Sequence, residues 1–246
     1  MNPADPQTLG FPPAALARIR AAADEYDPRA RQWPLLKALL WLYKTVCVGS
    51  IHIQGRRHIA PGARILVSNH ARVGDGFLLA FALGQFHALV QAESFTLPVL
   101  GKLMARGGWI PVVPGQPRLV FTRATEVLKR GGTVLIYPEG RLSHGSEMIR
   151  GQTGAVRLAL QTGAPLQPVA VHVPEKYWRT VHGNFYGRPT VGVWQVGGPT
   201  YIAIGEAWRP LADLDRPPTI AEARHATDDM MTRLRSLLEV ARAAAG

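Results

Sequence analysis

The chain has 246 residues, 28 of them Lys or Arg against 17 Asp or Glu, a formal charge of +11, and 47% hydrophobic residues. That length suits one large domain with small additions, and that composition excludes a disordered or collagen-like chain. A single cysteine, Cys47, excludes an intramolecular disulfide; with no C-x-x-C or Cys/His cluster, no metal is expected and a reducing compartment fits.

Residues 1–30 read as a loose N-terminal arm with a short helix near Ala14 to Ala23. They lack the apolar core behind a basic start that marks a secretory signal. Pro34 to Ile53 is the most apolar stretch. Lys37 and Lys44 interrupt it, and its longest uncharged run, Thr45 to Gln54, falls short of the ~20 residues a membrane-spanning helix needs. At helical spacing Leu36, Leu39, Leu40 and Tyr43 share one side with the lysines near its edges. That suits a helix lying in a membrane interface with snorkelling lysines, or an amphipathic helix packed on its own domain. Trp33, Trp41 and Tyr43 fit interfacial anchors and core aromatics equally. From Pro28 to Gly74 the chain carries Arg29, Arg31, Lys37, Lys44, Arg56, Arg57, Arg64 and Arg72 and no acidic residue. Such a surface attracts anionic lipid headgroups, nucleic acid or an acidic carrier protein.

Beyond the apolar segment, strands alternate with helices. Arg64 to Ser68 reads as a strand, Phe77 to Leu83 as a helix, Ala88 to Gln91 as a strand and Leu97 to Arg106 as a helix. Trp109 to Val113 is a strand, Pro117 to Arg130 a helix, Thr133 to Tyr137 a strand and Gly154 to Gln161 a helix. Pro168 to Val173, Val191 to Val196 and Tyr201 to Ile204 are expected to complete the sheet, and a last helix runs from about Thr219 to Ala244. The pattern predicts an α/β fold, a mixed, mostly parallel sheet flanked by helices. The expected organisation is an arm and apolar helix over 1–54, an α/β domain over 55–215 and a C-terminal helix over 216–246. Functional loops are expected beyond the carboxyl ends of the strands.

Two of those loops carry chemistry. The first reads Ser68-Asn69-His70-Ala71-Arg72-Val73-Gly74-Asp75-Gly76. A histidine can accept a proton near neutral pH, and a carboxylate beside it fixes its tautomer and stabilises the imidazolium. On a straight helix the two side chains would stand ~140° apart, so they meet only if His70 lies on the loop before the helix. Gly74 and Gly76 are expected to supply the flexibility for that turn. The second loop reads Tyr137-Pro138-Glu139-Gly140-Arg141-Leu142-Ser143. There Glu139 is placed to hold an acceptor hydroxyl and Arg141 to bind an anion through its planar fork; a plain surface turn with a Glu-Arg pair is the simpler alternative.

N-H-x-x-x-x-D followed about seventy residues later by a strand ending in P-E-G closely resembles the glycerolipid acyltransferase family, including its lysophosphatidic acid and bacterial lysophospholipid members. The resemblance covers roughly residues 55 to 175. Gln91-Ala92-Glu93 with Gly107-Gly108-Trp109-Ile110-Pro111-Val112 looks like the family's second block, and Ala164-Pro165-Leu166-Gln167-Pro168-Val169-Ala170 like its fourth. The resemblance implies that His70 is the base, Asp75 its orienting carboxylate, and Glu139 and Gly140 part of the acceptor site, with Ser143 flanking it. It implies transfer from acyl-CoA or acyl-carrier protein, as co-substrate, to a lysolipid hydroxyl at the cytoplasmic membrane face, without cofactor or covalent intermediate. The backbone amides at the Asp75 helix start are one candidate for stabilising the oxyanion.

The chain departs from that pattern twice. Pro114 stands where the second block ends in arginine, and the third block, commonly F-P-E-G-T-R-S, has Arg141 one place early with Leu142 in the arginine position. Glycerol 3-phosphate or lysophosphatidic acid is therefore a less secure assignment, and a lyso-aminolipid or a specialised hydroxyl or amine acceptor stands beside them. Arg106 and Arg118 are candidates for the missing charge, with a solvated surface role as the plain alternative. A non-catalytic lipid or carrier-binding protein would retain the fold alone. A nucleic-acid binder lacks a recognisable motif and interleaved aromatics, so no nucleic-acid partner is expected, and no G-x-S-x-G elbow supports a serine hydrolase.

Overall fold

The structure, a computed structural model, describes residues 11–27, 33–143, 147–212, 214–216 and 218–246. Arg29, Arg31 and His144 lie outside the described residues, as do the side chains of Trp33 and Leu36.

Helix α1 (Pro13–Asp24) and helix α2 (Trp33–Cys47) lead into strand β1 (Ile51–Gln54). There follow β2 (Arg64–Ser68), α3 (Asp75–Leu83), β3 (His87–Gln91), α4 (Leu100–Arg106), β4 (Ile110–Val112), α5 (Pro117–Lys129) and β5 (Thr133–Ile136). Then come α6 (Gly154–Thr162), β6 (Leu166–His172), β7 (Trp178–Phe185), β8 (Arg188–Gln195), β9 (Thr200–Ile204) and α7 (Ile220–Ala243). The main sheet has the order β1-β9-β6-β2-β5-β3-β4. Strands β6, β2, β5, β3 and β4 run parallel, β9 pairs antiparallel with β6, and β1 pairs parallel with β9.

The central strands read as apolar runs because both faces are covered. Every residue of β5 is buried, and in β2 all but the first. Alternate side chains then go to opposite layers. Ile65, Val67, Val134 and Ile136 meet α5, α6 and α7 through Ala124, Leu128, Val156, Met230 and Leu234. Leu66, Leu135, Val169 and Val171 meet the other layer through Leu40, Leu79 and Met104. Helix α7 starts on a capping box, Thr219 and Glu222 bonding each other's backbone amides, which fixes where this long helix begins.

Two expectations change, and one strand enters that the sequence did not announce. Val191 to Val196 does not enter the main sheet: it belongs to β8, which pairs only with β7 in a separate antiparallel ribbon. Strand β7 had no sequence signal, since both its faces are exposed over Arg179 to Asn184 and no alternation marks it. The apolar segment is not one helix either; α2 ends at Cys47 and Ile51 to Gln54 becomes the edge strand β1.

Helix α2 packs one side on the domain and leaves another open. Leu40 is buried and Leu39 and Tyr43 are half-buried against the domain, Tyr43 meeting Phe77 of α3 edge-on. The opposite side remains apolar and open, with Trp41 60%, Leu42 52% and Val46 70% exposed. No helix among the described residues is long and apolar enough to cross a membrane.

The β2–β5 boundary positions the site. From β2 the chain leaves into α3 in one layer, and from β5 it leaves into α6 in the other. Loops that part in this way open a crevice at the carboxyl ends of the strands. The β7–β8 ribbon arches over that end. Its base meets the loop after β2, where Val193 accepts the N–H of Val73 at 2.9 Å. Its tip, Tyr186, packs beside Phe11, Ile19 and Val113 with Arg18 5.7 Å over its ring.

Candidate active site at the carboxyl ends of β2 and β5

The loop after β2 is held on both sides. Asn69 reaches across to β6, its Nδ2 donating to the Val171 carbonyl at 2.9 Å and its Oδ1 accepting the Val171 N–H at 2.8 Å. The His70 N–H donates to Glu139 Oε1 at 2.8 Å, and the His70 carbonyl accepts the N–H of Ser143 at 2.9 Å. The imidazole stacks on Tyr137, ring centroids 3.9 Å apart and planes 14° from parallel. Backbone bonds and the stack thus set both the position and the plane of the ring, which keeps 20% of its surface exposed.

His70 lies on the loop and Asp75 begins α3, so the two side chains come together, Nδ1 to Oδ2 at 3.5 Å. That separation is an electrostatic contact rather than a hydrogen bond, and Nδ1 has no hydrogen-bond partner among the described residues. The carboxylate is engaged elsewhere. Oδ2 accepts the N–H groups of Ala71 at 3.0 Å and Arg72 at 2.9 Å. Oδ1 accepts Arg72 Nε at 3.0 Å and Nη2 at 2.6 Å. Burial, the largest influence, would raise the Asp75 pKa, but the Arg72 guanidinium, the neighbouring His70 and the Arg72 N–H together outweigh it and hold the carboxyl below its ordinary value. Arg72, counted from sequence only as one charge in a basic run, is 1% exposed and lies 5.7 Å from the centre of the Trp178 ring. Its place three residues before Asp75, inside the H-x-x-x-x-D stretch, is the signal that would have found it.

Glycine serves the turn by size rather than by backbone freedom. Gly74 has φ −79°, an angle open to any residue, but a Cβ there would overlap the Tyr43 hydroxyl. Gly140, with φ +70°, does use the left-handed region to turn the chain after Glu139. The amides of Ala71, Arg72, Val73 and Asp75 are all bonded within the protein, so these four leave no free donor for an oxyanion.

Glu139 is 3% exposed and braces both loops, its second oxygen accepting the N–H of Ile149 at 3.0 Å. Burial pushes its pKa up, opposed by its bonds from Ile149 and His70. Burial also raises the phenols of Tyr137, well above its usual range, and Tyr43, to about 12. Beside Glu139 opens a cavity of about 410 Å³ lined by Gly140, Arg141, Ile149, Arg150 and Gln152. Arg141 and Arg150 are both exposed. Arg150 was not singled out from sequence, because only the fold of the loop brings it opposite Arg141. A second cavity, about 460 Å³, lies between the end of α6 and residues 209–218 and touches none of these groups.

The other candidate cations fall elsewhere. Arg106 closes α4, two residues before Gly108, whose carbonyl bonds His87 at the amino end of β3. It therefore stands at the opposite end of the sheet from His70. Arg118 opens α5 at the correct end, exposed, but beyond β4, three strand spacings or ~14 Å from β2. Ser143 reaches the site through its backbone bond to His70. His172, half-exposed at the end of β6, has its pKa lowered by burial and by Arg72. Among the described residues no three His, Cys, Asp or Glu side chains stand together as a metal site.

The family model for acyltransferases matches residues 50–172, which contain both loops and the strands that carry them. The chain belongs to the acyltransferase family. The 1-acyl-sn-glycerol-3-phosphate acyltransferase of Pseudomonas aeruginosa is 28% identical over 213 residues, 85% of this chain and 79% of that one. The lyso-ornithine lipid O-acyltransferase of the same organism is 31% identical over 169 residues, 66% of this chain and 63% of the relative. The crystal structure of the 1-acyl-sn-glycerophosphate acyltransferase PlsC from Thermotoga maritima superimposes with a TM-score of 0.61 at 18% identity, covering 85% of this acyltransferase and 79% of that chain. The acyltransferase thus shares the mixed, mostly parallel fold of that structure.

Proposed function

We propose that this acyltransferase moves a fatty acyl group from acyl-CoA or acyl-carrier protein to the hydroxyl of a lysolipid, with His70 as general base. The observation that carries the reading is His70, held by Tyr137 and Glu139, with Nδ1 toward Asp75 and the Arg141–Arg150 cavity beside it. Nε2 takes the acceptor hydroxyl proton as that oxygen attacks the thioester carbonyl carbon. The tetrahedral intermediate collapses, the C–S bond breaks, and the departing thiolate receives the proton from the imidazolium, leaving an ester and a free thiol. Asp75 stabilises the imidazolium by charge. No metal, cofactor or covalent enzyme intermediate enters this scheme.

Arg141 and Arg150 give the acceptor's anionic group, phosphate or carboxylate, two planar donors. The relatives named for lysophosphatidic acid-type and lyso-ornithine lipid substrates support a lysolipid acceptor of one of these classes. The displaced third-block arginine favours the aminolipid side. The open face of α2 is proposed to lie on the cytoplasmic membrane surface, supported by Trp41, Leu42 and Val46 outward and Lys37 exposed on the same helix.

Purified protein and His70→Ala are to be incubated with long-chain acyl-CoA, then with acyl-carrier protein as donor, and a panel of lysophosphatidic acid, lysophosphatidylethanolamine and a lyso-ornithine lipid. Acceptor-dependent ester and thiol are expected, falling at least ~10²-fold in the variant. Near-full activity in the variant overturns the base assignment.

A further inference from the structure

Arg72 is a buried cation beside the catalytic pair, and the reaction described above gives it no task. Its guanidinium takes Asp75 Oδ1 with two N–H groups, and the amides of Ala71 and Arg72 take Oδ2. Four donors fill the roughly four acceptor positions of a carboxylate. His70 therefore faces an oxygen already bonded twice, at 3.5 Å, across from a full positive charge that offsets part of the carboxylate's field.

We propose that Arg72 is a positioning residue for acyl transfer: by holding Asp75 and offsetting part of its charge, it tempers the pull of the carboxylate on the His70 ring so that the ring can take the acceptor hydroxyl proton. This rests on His70 being the base.

The surroundings leave Arg72 as the group able to do this. From α3 the imidazole is faced by Asp75, and from β5 and its loop by Tyr137 and Glu139. Tyr43 of α2 lies in the field of the Arg72–Asp75 pair, and His172 of β6 in that of Arg72. Both phenols are kept neutral by burial, and the same burial disfavours a charged His172. Glu139 is committed to two amides. Arg72 is thus the positive charge in direct contact with the pair. A histidine beside an unneutralised buried carboxylate would hold its proton more firmly, and a base already protonated cannot accept another. The arginine is fixed in place as well, by the Trp178 ring and by the ribbon that bonds the next residue, Val73.

The test is a charge cycle read on the ring itself. His70 in the intact chain is titrated by NMR with labelled histidine, His70→Ala assigning the signal, in wild type, Arg72→Gln, Asp75→Asn, the double variant and Arg72→Lys. The pH at which the ring takes up its proton is expected to rise by about one unit or more in Arg72→Gln. It should fall in Asp75→Asn, and return near the wild-type value in the double variant and in Arg72→Lys. The acidic limb of kcat/KM should follow the same order. If Arg72→Gln does not fold, Asp75→Asn and the double variant still define the sign. Lower activity at every pH with an unmoved titration would make Arg72 a structural clamp and overturn the proposal. The titration reads the ring whether or not it is the base, so its outcome is separate from the His70→Ala activity test.

Discussion

At the scale of single residues, the candidate site is shaped by the groups that hold His70. The Tyr137 ring holds the plane of the imidazole, while its hydroxyl is buried with no hydrogen-bond partner among the described residues. The ring and the hydroxyl therefore separate cleanly by substitution. Tyr137→Phe keeps the stack and removes an unpaired polar group, so activity within about twofold and an equal or higher melting temperature are expected. Tyr137→Leu loses a stacking interaction of ~0.5–1.5 kcal/mol, enough to lower kcat up to ~10-fold with KM little changed. Steady-state kinetics and thermal melts on both variants check the pair; equal losses in the two would mean the hydroxyl, not the ring, matters. Of these residues only His70, Asp75 and the Glu139 loop stood out from sequence. Tyr137 read as the end of a strand and Arg72 as surface charge, because a stack and a buried ion pair are made by residues that the fold brings together.

At the scale of elements, β2, β5 and β6 were legible because burial on both faces leaves unbroken apolar runs, and α5 and α7 because their apolar positions recur at helical spacing. The ribbon was half legible. Strand β8 has buried Val193 and Gln195 to mark it, whereas β7 is exposed along most of its length. Helix α2 shows the limit of periodicity in another way. With apolar side chains nearly all round, its pattern does not tell which side packs, and the described stripe through Leu40 turned inward while Trp41 and Val46 turned out. That outer side carries a test. Trp41→Ser with Val46→Ser removes apolar surface worth ~1.5–3 kcal/mol per fully buried side chain. Sedimentation with anionic phospholipid vesicles is expected to show at least ~10-fold weaker binding, with an unchanged melting temperature because neither side chain supports the core. Unchanged vesicle binding would rule this face out as the membrane contact.

At the scale of the whole molecule, the sheet is closed on one side by α5, α6 and α7, and the last of these comes from the end of the chain. Met230, Met231 and Leu234 of α7 are buried against Val156 and the central strands, and Arg224 donates to the Gly151 carbonyl at 2.7 Å, tying the helix to the loop between β5 and α6. Leu234→Ala is expected to cost ~2–5 kcal/mol by leaving a cavity, while the folded fraction keeps its turnover. Denaturant unfolding alongside activity per folded molecule separates the two; a turnover loss larger than the unfolded fraction would show that α7 also shapes the site.

The contact between Tyr43 and Gly74 has a consequence for how this site can change by descent. Because the phenol oxygen fills the space that any larger residue at position 74 would claim, a change at one position presses on the other though they sit in different segments of the chain. Alanine before Asp75 would press on that hydroxyl, so admitting it requires the Tyr43 side chain to shift or to lose its hydroxyl. The short histidine-to-aspartate signature therefore has an unwritten member upstream, in the helix whose far side faces away from the enzyme.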